Sequence, residues 1–243
     1  MRSLGVIVAR RRSKRLPDKV LKPLLDAPLI AYAVRAAAAS RLDRVLVSTE
    51  DREIAETARR FGAEAPFLRP APLAEDYAKD HEIVLHALDW AEADERRAYD
   101  AVVLIQPTTP FVLPRHIEAC LEVIDASGAN CCFTVRPVRE KPHWMFVARP
   151  DGTAETLLDG QLEGARQYAQ HLPPVFLPNG AAFAVSTPAL REQRRIYATP
   201  LRMVEMEGER SVDIDEPFDL VLAEALGRHF GFTLTEASVA RAG

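Results

Sequence analysis

Short, uninterrupted apolar runs alternate with helical patterns through the first 136 residues, and this alternation limits the fold more than any other feature. Strands that are apolar on both faces are typical of a parallel sheet covered by helices. The pattern therefore predicts an α/β fold with a mostly parallel sheet and helices on both faces. The predicted strands span 4–9, 44–49, 101–106 and 129–136, and the predicted helices span 28–40, 51–61 and 80–93, with Ile117, Leu121 and Ile124 on one face of a further helix.

The alternation ends after residue 136. Residues 137–178 hold several prolines and a Trp, and we expect them to form a small arm, with a strand at 143–147 and a turn at 150–152. Strands at 181–186 and 201–206 and a helix at 215–228 are predicted to follow. We therefore expect a single domain over residues 1–243, with the arm inserted in it.

Composition and charge argue against several classes of function. The 31 Lys and Arg residues face 35 Asp and Glu, and this balance disfavours nucleic-acid and membrane partners. The apolar run at 4–9 is too short for a membrane span or a signal-peptide core. Cys120, Cys131 and Cys132 fit neither a disulfide framework nor a zinc site, so we expect buried free thiols and a cytoplasmic protein.

The segment after the first predicted strand is strongly cationic. Residues 10–22 hold seven Arg and Lys side chains and a single acid, Asp18. Parallel sheets bind ligands at the carboxyl ends of their strands, where this loop begins. Arg and Lys bind phosphate strongly when they are partly desolvated, so the loop is predicted to hold a triphosphate. A solvated basic turn or a nucleic-acid patch is the alternative.

Two acids that lie two residues apart form the second candidate site. Asp213 and Asp215 belong to the run 211–215, which we predict to be a strand. Alternate residues of a strand face the same side, so the two carboxylates would lie together, with Val212 and Ile214 buried behind them. Neighbouring carboxylates favour a divalent cation between them, and Mg²⁺ prefers oxygen ligands. The simpler alternative is that Asp215 caps the helix that follows.

Two further turns hold polar side chains at the ends of predicted strands. Gln106 and Thr108 follow the third strand, where a contact to a base or a sugar is feasible, although the two prolines nearby also favour an ordinary turn. Asn179 and Gly180 precede a later strand, and Asn-Gly is first of all a turn signal. An Asn at such a strand entrance is also able to bind a sugar hydroxyl or carboxylate.

A series of short motifs follows along the chain: Ala9-Arg10-x-x-Ser13-Lys14, Pro17-x-Lys19, Leu21-Lys22-Pro23-Leu24, Val45-x-Val47-Ser48-Thr49-x-Asp51, Arg69-Pro70-Ala71-x-Leu73-Ala74-x-Asp76, Leu104-x-Gln106-Pro107-Thr108-x-Pro110, Pro178-Asn179-Gly180-Ala181 and Ser211-Val212-Asp213-Ile214-Asp215. Together and in this order they resemble the motifs of the acylneuraminate cytidylyltransferases, also called CMP-sialic acid synthetases. Each motif is short, but the ordered set covers nearly the whole chain and is therefore specific.

The resemblance implies a Rossmann-like α/β fold, CTP as the donor, Mg²⁺ as the cofactor, and a homodimer in which the segment near 142–173 reaches toward the partner. Contacts to the nucleotide are implied for Ala9, Arg10, Ser13, Lys14, Lys19, Asp76 and Gln106. Contacts to the sugar are implied for Gln106, Thr108, Asn179 and Gly180. The metal would be held by Asp213 and Asp215, which would act in catalysis with Arg10 and Lys19.

The chain departs from the family pattern at several positions, and Arg11 and Arg12 stand where the family often has small or polar residues. Arg15 stands where the family has Gly and is similar to the pseudaminic acid enzymes. Val20 replaces a common Asn and is similar to the 3-deoxy-manno-octulosonate enzymes. Leu177 replaces an Arg that contacts sugar or phosphate in the family, and Arg166 in the arm is one candidate substitute.

These observations predict a cytidylyltransferase that transfers CMP from CTP to the anomeric hydroxyl of an acidic, sialic acid-like 2-keto-3-deoxy sugar and releases pyrophosphate. The acceptor stays open among sialic, pseudaminic, legionaminic and 3-deoxy-manno-octulosonic acids. A non-catalytic protein that binds a nucleotide sugar is the rival from another class. The prediction requires the cationic loop and the Asp pair to meet in space.

Overall fold

The computed structural model describes residues 1–158 and 168–238. Within these ranges the strands are β1 (Ser3–Val8), β2 (Pro23–Leu24), β3 (Ala27–Pro28), β4 (Arg44–Ser48), β5 (Ala101–Ile105), β6 (Cys131–Pro137), β7 (Phe146–Ala148), β8 (Ala154–Thr156), β9 (Phe176–Ser186) and β10 (Leu201–Glu205). The central sheet has the strand order β10-β6-β9-β5-β1-β4. Its pairings are parallel except for the two made by β9. The predicted mostly parallel sheet is confirmed.

Six α-helices accompany the sheet in the described part of the chain: α1 (Leu29–Ala38), α2 (Arg52–Phe61), α3 (Asp80–Glu95), α4 (Pro114–Ser127), α5 (Thr187–Gln193) and α6 (Pro217–Phe230). The predicted helices in the first half of the chain are confirmed to within a few residues. Local signals explain the bounds of α2. Asp51 caps its first turn by accepting a hydrogen bond from the Ile54 N–H at 3.0 Å, and Gly62 ends it with φ 111°.

The sheet lies between two apolar layers. Val103 and Ile105 of β5 pack into a core that also contains residues of α1, α2 and α4. Val102 and Leu104 point to the opposite face and pack with residues of α3 and α5. Both faces of the strand are therefore buried, which is why its sequence is apolar without interruption.

β9 is longer than the predicted strand, and its direction is opposite to that of its neighbours. It begins at Phe176 rather than at residue 181, and it runs antiparallel to both of its neighbours. The ladder with β6 changes register: Phe133 faces Phe183, whereas Val135 faces Pro178. The extra residues on β9 form an irregularity around Gly180, whose φ is 79°. Because β9 runs antiparallel to β5 and β6, its first residues lie at the edge where the parallel strands end.

Two predicted strands need correction. Residues 211–215 form no strand, because the Ile214 N–H bonds to the Thr108 carbonyl at 2.8 Å and their other backbone groups join no ladder. The predicted strand at 143–147 is a 3₁₀ turn over Pro142–Trp144 followed by β7. β7 pairs with β8 as a separate antiparallel hairpin, outside the central sheet. Residues 159–167 of the predicted arm lie outside the described residues.

Cys120, Cys131 and Cys132 are buried free thiols, as predicted. No helix in residues 1–158 or 168–238 is long and apolar enough to cross a bilayer. The cytoplasmic location stays a prediction.

Candidate active site

A cleft of about 740 Å³ opens at the sheet edge where β1 and β5 end. Nine of the predicted site residues line it: Arg10, Ser13, Lys14, Lys19, Asp76, Gln106, Thr108, Asp213 and Asp215. Ala9 and Gly180 are not among its lining residues, and Asn179 lines a neighbouring cleft. The segments that reach this cleft are far apart in sequence, and the carboxyl-edge location is the one expected for ligand sites in parallel sheets. We call it the first cleft.

Asp76 holds the outer part of the cationic loop. Its carboxylate lies 2.6 Å from the Arg10 guanidinium and 2.6 Å from the Lys14 ammonium. The hydrogen bonds from Lys14 and Arg10 lower the pKa of Asp76. Because all three side chains remain accessible to solvent, the two cations are free to exchange this carboxylate for phosphate oxygens.

Asp215 holds the inner part of the same loop. Lys19 Nζ lies 2.9 Å from one carboxylate oxygen of Asp215, and Arg15 Nη2 lies 2.5 Å from the other. The Lys19 side chain is only 11% exposed, so it is fixed more firmly than Arg15. Partial burial favours protonation of Asp215, but the two cations outweigh this and lower its pKa. The cationic loop and the Asp pair therefore meet, over a separation of nearly 200 residues.

The surroundings of Asp213 shift its pKa in the opposite direction. Its carboxylate accepts a hydrogen bond from Thr108 and opens into the cleft, but the surrounding protein desolvates it. This desolvation and the charge of Asp215 raise the pKa of Asp213, against the effects of Thr108 and Lys19. The two carboxylates therefore differ in how far neighbouring cations compensate their charge. Asp215 is already neutralised by cations, whereas the charge on Asp213 is largely uncompensated.

The helix-capping alternative for Asp215 does not hold. Glu216 occupies the N-cap position of α6, and Asp219 accepts the N–H groups of Asp215 and Glu216 at 2.9 and 2.8 Å. The Asp215 carboxylate is turned instead toward Lys19 and Arg15. Ile214 is fully buried between the two acids, and Val212 is partly buried. The predicted in-and-out alternation is thus present although the segment is not a strand.

The Asp pair suits a magnesium ion that is held mainly by substrate. Among residues 1–158 and 168–238, no group of three or more His, Cys, Asp or Glu side chains is arranged to hold a metal. Mg²⁺ commonly uses one or two carboxylates and completes its shell with water and phosphate oxygens. Asp213, with its uncompensated charge at the cleft surface, fits that type of ligand set, and Asp215 is the neighbouring donor.

Asn179 is buried and fully bonded inside the protein. Its Nδ2 donates to Ser211 Oγ at 2.9 Å and to Met206 Sδ at 3.2 Å, and its Oδ1 accepts from the Thr134 hydroxyl at 2.7 Å. These bonds join the start of β9 to β6 and to the segment that leads to Asp213. A contact from Asn179 to the sugar stays a prediction, and the observed bonds give it a positioning role.

Gly180 and Ala9 also support the site from behind. A Cβ atom on Gly180 would lie 2.6 Å from Gln106 Oε1, so the missing side chain leaves room for Gln106 at the cleft wall. Ala9 is buried, and its carbonyl accepts a hydrogen bond from Arg69 at 3.2 Å. Direct contacts from Ala9 and Gly180 to ligands stay predictions.

A family model described as cytidylyltransferase matches residues 4–161, well over half of the chain. The chain belongs to the cytidylyltransferase family. It is 32% identical to CMP-N,N'-diacetyllegionaminic acid synthase of Legionella pneumophila over 93% of this chain and 96% of that protein. It is 30% identical to N-acylneuraminate cytidylyltransferase of Escherichia coli over 90% of this chain and 51% of that longer protein. It is 37% identical to pseudaminic acid cytidylyltransferase of Campylobacter jejuni over 46% of this chain and 48% of that protein.

Solved structures support the fold of this cytidylyltransferase. A CMP:2-keto-3-deoxy-manno-octonic acid synthetase, solved with CTP, superimposes with a TM-score of 0.67 over 95% of this chain and all of that one, at 17% identity. A 4-diphosphocytidyl-2C-methyl-D-erythritol synthase from Anaerococcus prevotii gives a TM-score of 0.64 over 93% of this chain and 99% of that one, at 8% identity. At these identities the likeness concerns the fold.

Arg69 is absent from the predicted site residues, although it lies in one of the matched motifs. It is 3% exposed and donates to the carbonyls of Ala9 and Ser48 at 3.2 and 3.3 Å, and it pairs with Glu50 at 2.7 Å. Burial lowers the pKa of Arg69, against the effect of Glu50. This cytidylyltransferase thus ties the ends of β1 and β4 together with a buried guanidinium at the wall of the first cleft.

Asp80, at the start of α3, is a second lining residue without a sequence signal. Burial raises its pKa, with Arg10 and Arg69 among the groups that oppose the shift. Acids are common in the first turn of helices, so nothing in the sequence marks this one as part of a cleft.

A second cleft of about 800 Å³ lies beside the first, and Asp213 lines both. Arg136 and Leu177 contribute the facing ends of β6 and β9, and Leu226 and Phe230 contribute an apolar wall from α6. The second cleft of the cytidylyltransferase therefore combines an apolar wall with charged side chains of both signs.

Proposed function

We propose that this cytidylyltransferase transfers CMP from CTP to the anomeric hydroxyl of an acidic 2-keto-3-deoxy sugar and releases pyrophosphate. One observation carries the proposal: Lys19 lies 2.9 Å from Asp215, which joins the cationic loop and the acid pair in one cleft. The relatives named for legionaminic, N-acylneuraminic and pseudaminic acids support a nine-carbon acidic sugar as the acceptor class.

The triphosphate occupies the first cleft in this proposal. Arg10 and Lys14, now held by Asp76, bind its outer phosphates, and Lys19 binds closer to the α-phosphate. Ser13, Gln106 and Thr108 line the same cleft and contact the nucleotide or the reacting ends of the two substrates. The cations stabilise the charge that builds on the departing pyrophosphate, so catalysis is largely positioning and charge neutralisation.

The acceptor occupies the second cleft, with its anomeric hydroxyl near Asp213, the residue common to both clefts. The hydroxyl oxygen attacks the α-phosphorus and forms a new O–P bond. The bond from the α-phosphorus to the oxygen bridging to the β-phosphate breaks, and its electron pair leaves with pyrophosphate. The hydroxyl proton passes to solvent.

Asp213 and Asp215 are proposed to hold Mg²⁺, which when bound polarises the α-phosphate as a Lewis acid. Lys19 and Arg15 both pair with Asp215, so Asp213 is the carboxylate of the pair that has no cation bonded to it. Thr108 orients the Asp213 carboxylate by hydrogen bonding, and Asn179 fixes the segment before it through Ser211.

A homodimer and a single domain over residues 1–243 also belong to the proposal. The hairpin of β7 and β8 and its flanks expose apolar side chains, including Met145, Phe146 and Leu157. An exposed apolar segment of this kind supports contact with a second copy. Light scattering after size exclusion tests it, and Phe146→Asp should then shift the protein toward the monomer.

Pyrophosphate release tests the main proposal directly. Purified protein is assayed with each of the four nucleoside triphosphates, with Mg²⁺ or EDTA, and with N-acetylneuraminate, legionaminate, pseudaminate or 3-deoxy-manno-octulosonate. We expect release that needs CTP, Mg²⁺ and one of the acids together. Tight CTP binding without turnover on any acid would support the non-catalytic alternative, and a preference for another nucleotide would contradict the choice of donor.

A further inference from the structure

The second cleft contains two cations among several acids. Arg136 and Arg139 line it together with Glu140, Glu209, Asp213 and Asp219. Asp219 is already bonded to backbone N–H groups at the start of α6, and the other three carboxylates of the lining would repel an anionic ligand. An acidic molecule in this cleft therefore needs a guanidinium to offset its own charge.

Arg136 is the better placed of the two cations. It lies within β6, where the backbone ladder fixes it directly opposite Leu177 of β9. Side chains of facing residues lie on the same side of a sheet with Cβ atoms about 5 Å apart, so Arg136 and Leu177 share one patch of the cleft wall. Arg139 follows the end of the strand and lies beside Glu140, where its position is less constrained.

The guanidinium of Arg136 also has no partner in residues 1–158 and 168–238, where it makes no hydrogen bond or ion pair. Two other arginines already have partners. Arg115 forms an ion pair with Glu207, and Arg210 forms an ion pair with Glu236 and stacks on Phe232. A half-buried, unpaired guanidinium that faces a cleft is a ready partner for a carboxylate, which it can bind through two parallel hydrogen bonds.

We propose that Arg136 is the specificity-determining residue that binds the carboxylate of the acceptor sugar. This inference rests on the proposed function and names the contact that selects acids over neutral sugars. The carboxylate lies at the β6 end of the second cleft, and the anomeric hydroxyl of the same sugar lies at Asp213. Leu177 opposite Arg136 packs against the apolar part of the sugar. The carboxylate contact thus comes from β6, next to the position on β9 that Leu177 occupies.

The test compares an acidic acceptor with its methyl ester, in which the charge is removed. For wild type and Arg136→Gln, kcat/KM is measured by pyrophosphate release with the best acid of the panel and with its ester, at saturating CTP and Mg²⁺. We expect the preference for acid over ester to fall about 10- to 100-fold in Arg136→Gln, the range for one lost charge-assisted hydrogen bond. The KM for CTP should stay unchanged.

Two further variants distinguish the loss of the Arg136 charge from a general disturbance of the second cleft. Arg202→Gln removes an exposed arginine on the neighbouring strand β10 and should leave the acid preference as in wild type. The double variant Arg136→Gln/Leu177→Arg returns a guanidinium to the facing position and should recover about tenfold of the preference.

Each outcome has a distinct meaning. Wild type that uses no acidic sugar overturns the proposed function, and this inference with it. Wild type that uses the acid, with an unchanged acid-to-ester ratio in Arg136→Gln, overturns only the role of Arg136. An equal loss for acid and ester in Arg136→Gln also contradicts it, because a carboxylate contact affects the acid alone.

Discussion

The two clefts that share Asp213 are built in different ways. In the first cleft, the cations are already paired with carboxylates: Arg10 and Lys14 with Asp76, and Lys19 with Asp215. In the second cleft, Arg136 has no partner among the described residues. An incoming triphosphate therefore exchanges one set of ion pairs for another, whereas an acidic acceptor forms a pair that did not exist before.

The difference indicates how donor and acceptor selection are separated. In the first cleft, a preformed network of ion pairs keeps several cations close together in the absence of a ligand and fixes the conformation of the cationic loop. An unpaired guanidinium that is held on a strand beside an apolar wall depends strongly on the charge and position of one ligand group. We infer that substitutions in the first cleft alter turnover broadly, while substitutions in the second alter the choice of acceptor.

The largest loss of activity is expected for a substitution of Asp213, the residue that lines both clefts. Asp213→Asn should lower kcat on the order of 10²- to 10³-fold, because it removes the carboxylate proposed to hold Mg²⁺ beside both substrates. The measurement is steady-state pyrophosphate release. Asp125→Asn on the outer face of α4 is the matched control and should keep wild-type rates. Full activity of a folded Asp213→Asn protein would remove the link between the two clefts.

The next effect concerns the irregular start of β9, which lies between Gln106 in the first cleft and Asn179 in the second. Gly180→Ala should lower the free energy of unfolding by about 1–3 kcal/mol, because an L side chain at φ 79° is strained and its Cβ would lie 2.6 Å from Gln106 Oε1. It should also raise the KM for CTP by displacing Gln106. Urea unfolding and initial rates measure the two effects.

Gly128→Ala is the control for backbone strain alone. Gly128 has φ 67°, but a Cβ there meets no atom within 4 Å. Its loss of stability should be smaller, and the KM for CTP should not change. Equal effects of the two substitutions would show that Gln106 has room to move aside.

The two carboxylates should have opposite effects on stability. The pKa of Asp213 is raised in the folded protein, so its ionised form destabilises the fold above the unfolded-state pKa near 3.8, and Asp213→Asn should stabilise the protein at pH 7. The pKa of Asp215 is lowered, so its ionised form stabilises the fold above that pH, and Asp215→Asn should destabilise it. Each change should be about 1 kcal/mol or less, since Asp215 is partly exposed.

Urea unfolding between pH 7 and pH 4 provides the measurement. The difference for Asp213→Asn should shrink over this range, because the raised pKa lets the folded protein take up the proton first. The difference for Asp215→Asn should largely persist at pH 4, because the lowered pKa keeps this carboxylate ionised in the folded protein. Two variants that shift stability in the same direction would contradict the assignment of unlike environments to Asp213 and Asp215.

The smallest effect is a change in the affinity for CTP when Asp76 is substituted. Asp76→Asn should lower the Kd for CTP about two- to fivefold, because the triphosphate no longer displaces a carboxylate from Arg10 and Lys14, and exposed pairs of this kind are weak. Calorimetric titration at low and high salt measures it, and the advantage over wild type should shrink in high salt. Weaker binding would mean that Asp76 orients the two cations rather than competing for them.

The sequence allowed accurate prediction of features that depend on local pattern. The apolar run in β5 is buried on both faces, and Asp51 and Gly62 bound α2 as their capping preferences predict. The meeting of the cationic loop with the Asp pair was also predictable, since both follow elements that end at the ligand edge of a parallel sheet. The strand proposed for residues 211–215 was wrong because alternation of burial also occurs in an extended segment that joins no strand ladder.

Features that depend on the pairing of distant segments could not be predicted from the sequence. The reversed direction of β9 and its irregularity at Gly180 follow from the ladder with β6, which no local pattern encodes. Arg69 looks like an ordinary loop residue until its carbonyl partners on two strand ends are known. Arg136 likewise gains its meaning only from facing Leu177 across two strands.

The pairing of Pro137 with Phe176 brings together the points where the chain leaves and re-enters the sheet, and the Val138 N–H bonds to the Val175 carbonyl at 3.0 Å just beyond them. The excursion between these residues thus has closely spaced anchor points, as a loop at the tip of a hairpin does. We infer that the length and composition of this excursion can vary among relatives without altering the register of β6 and β9, because the anchors belong to the ladder itself. Since Pro137 also lines the second cleft, replacing the excursion with that of a relative is expected to change acceptor preference and to leave the affinity for CTP unchanged.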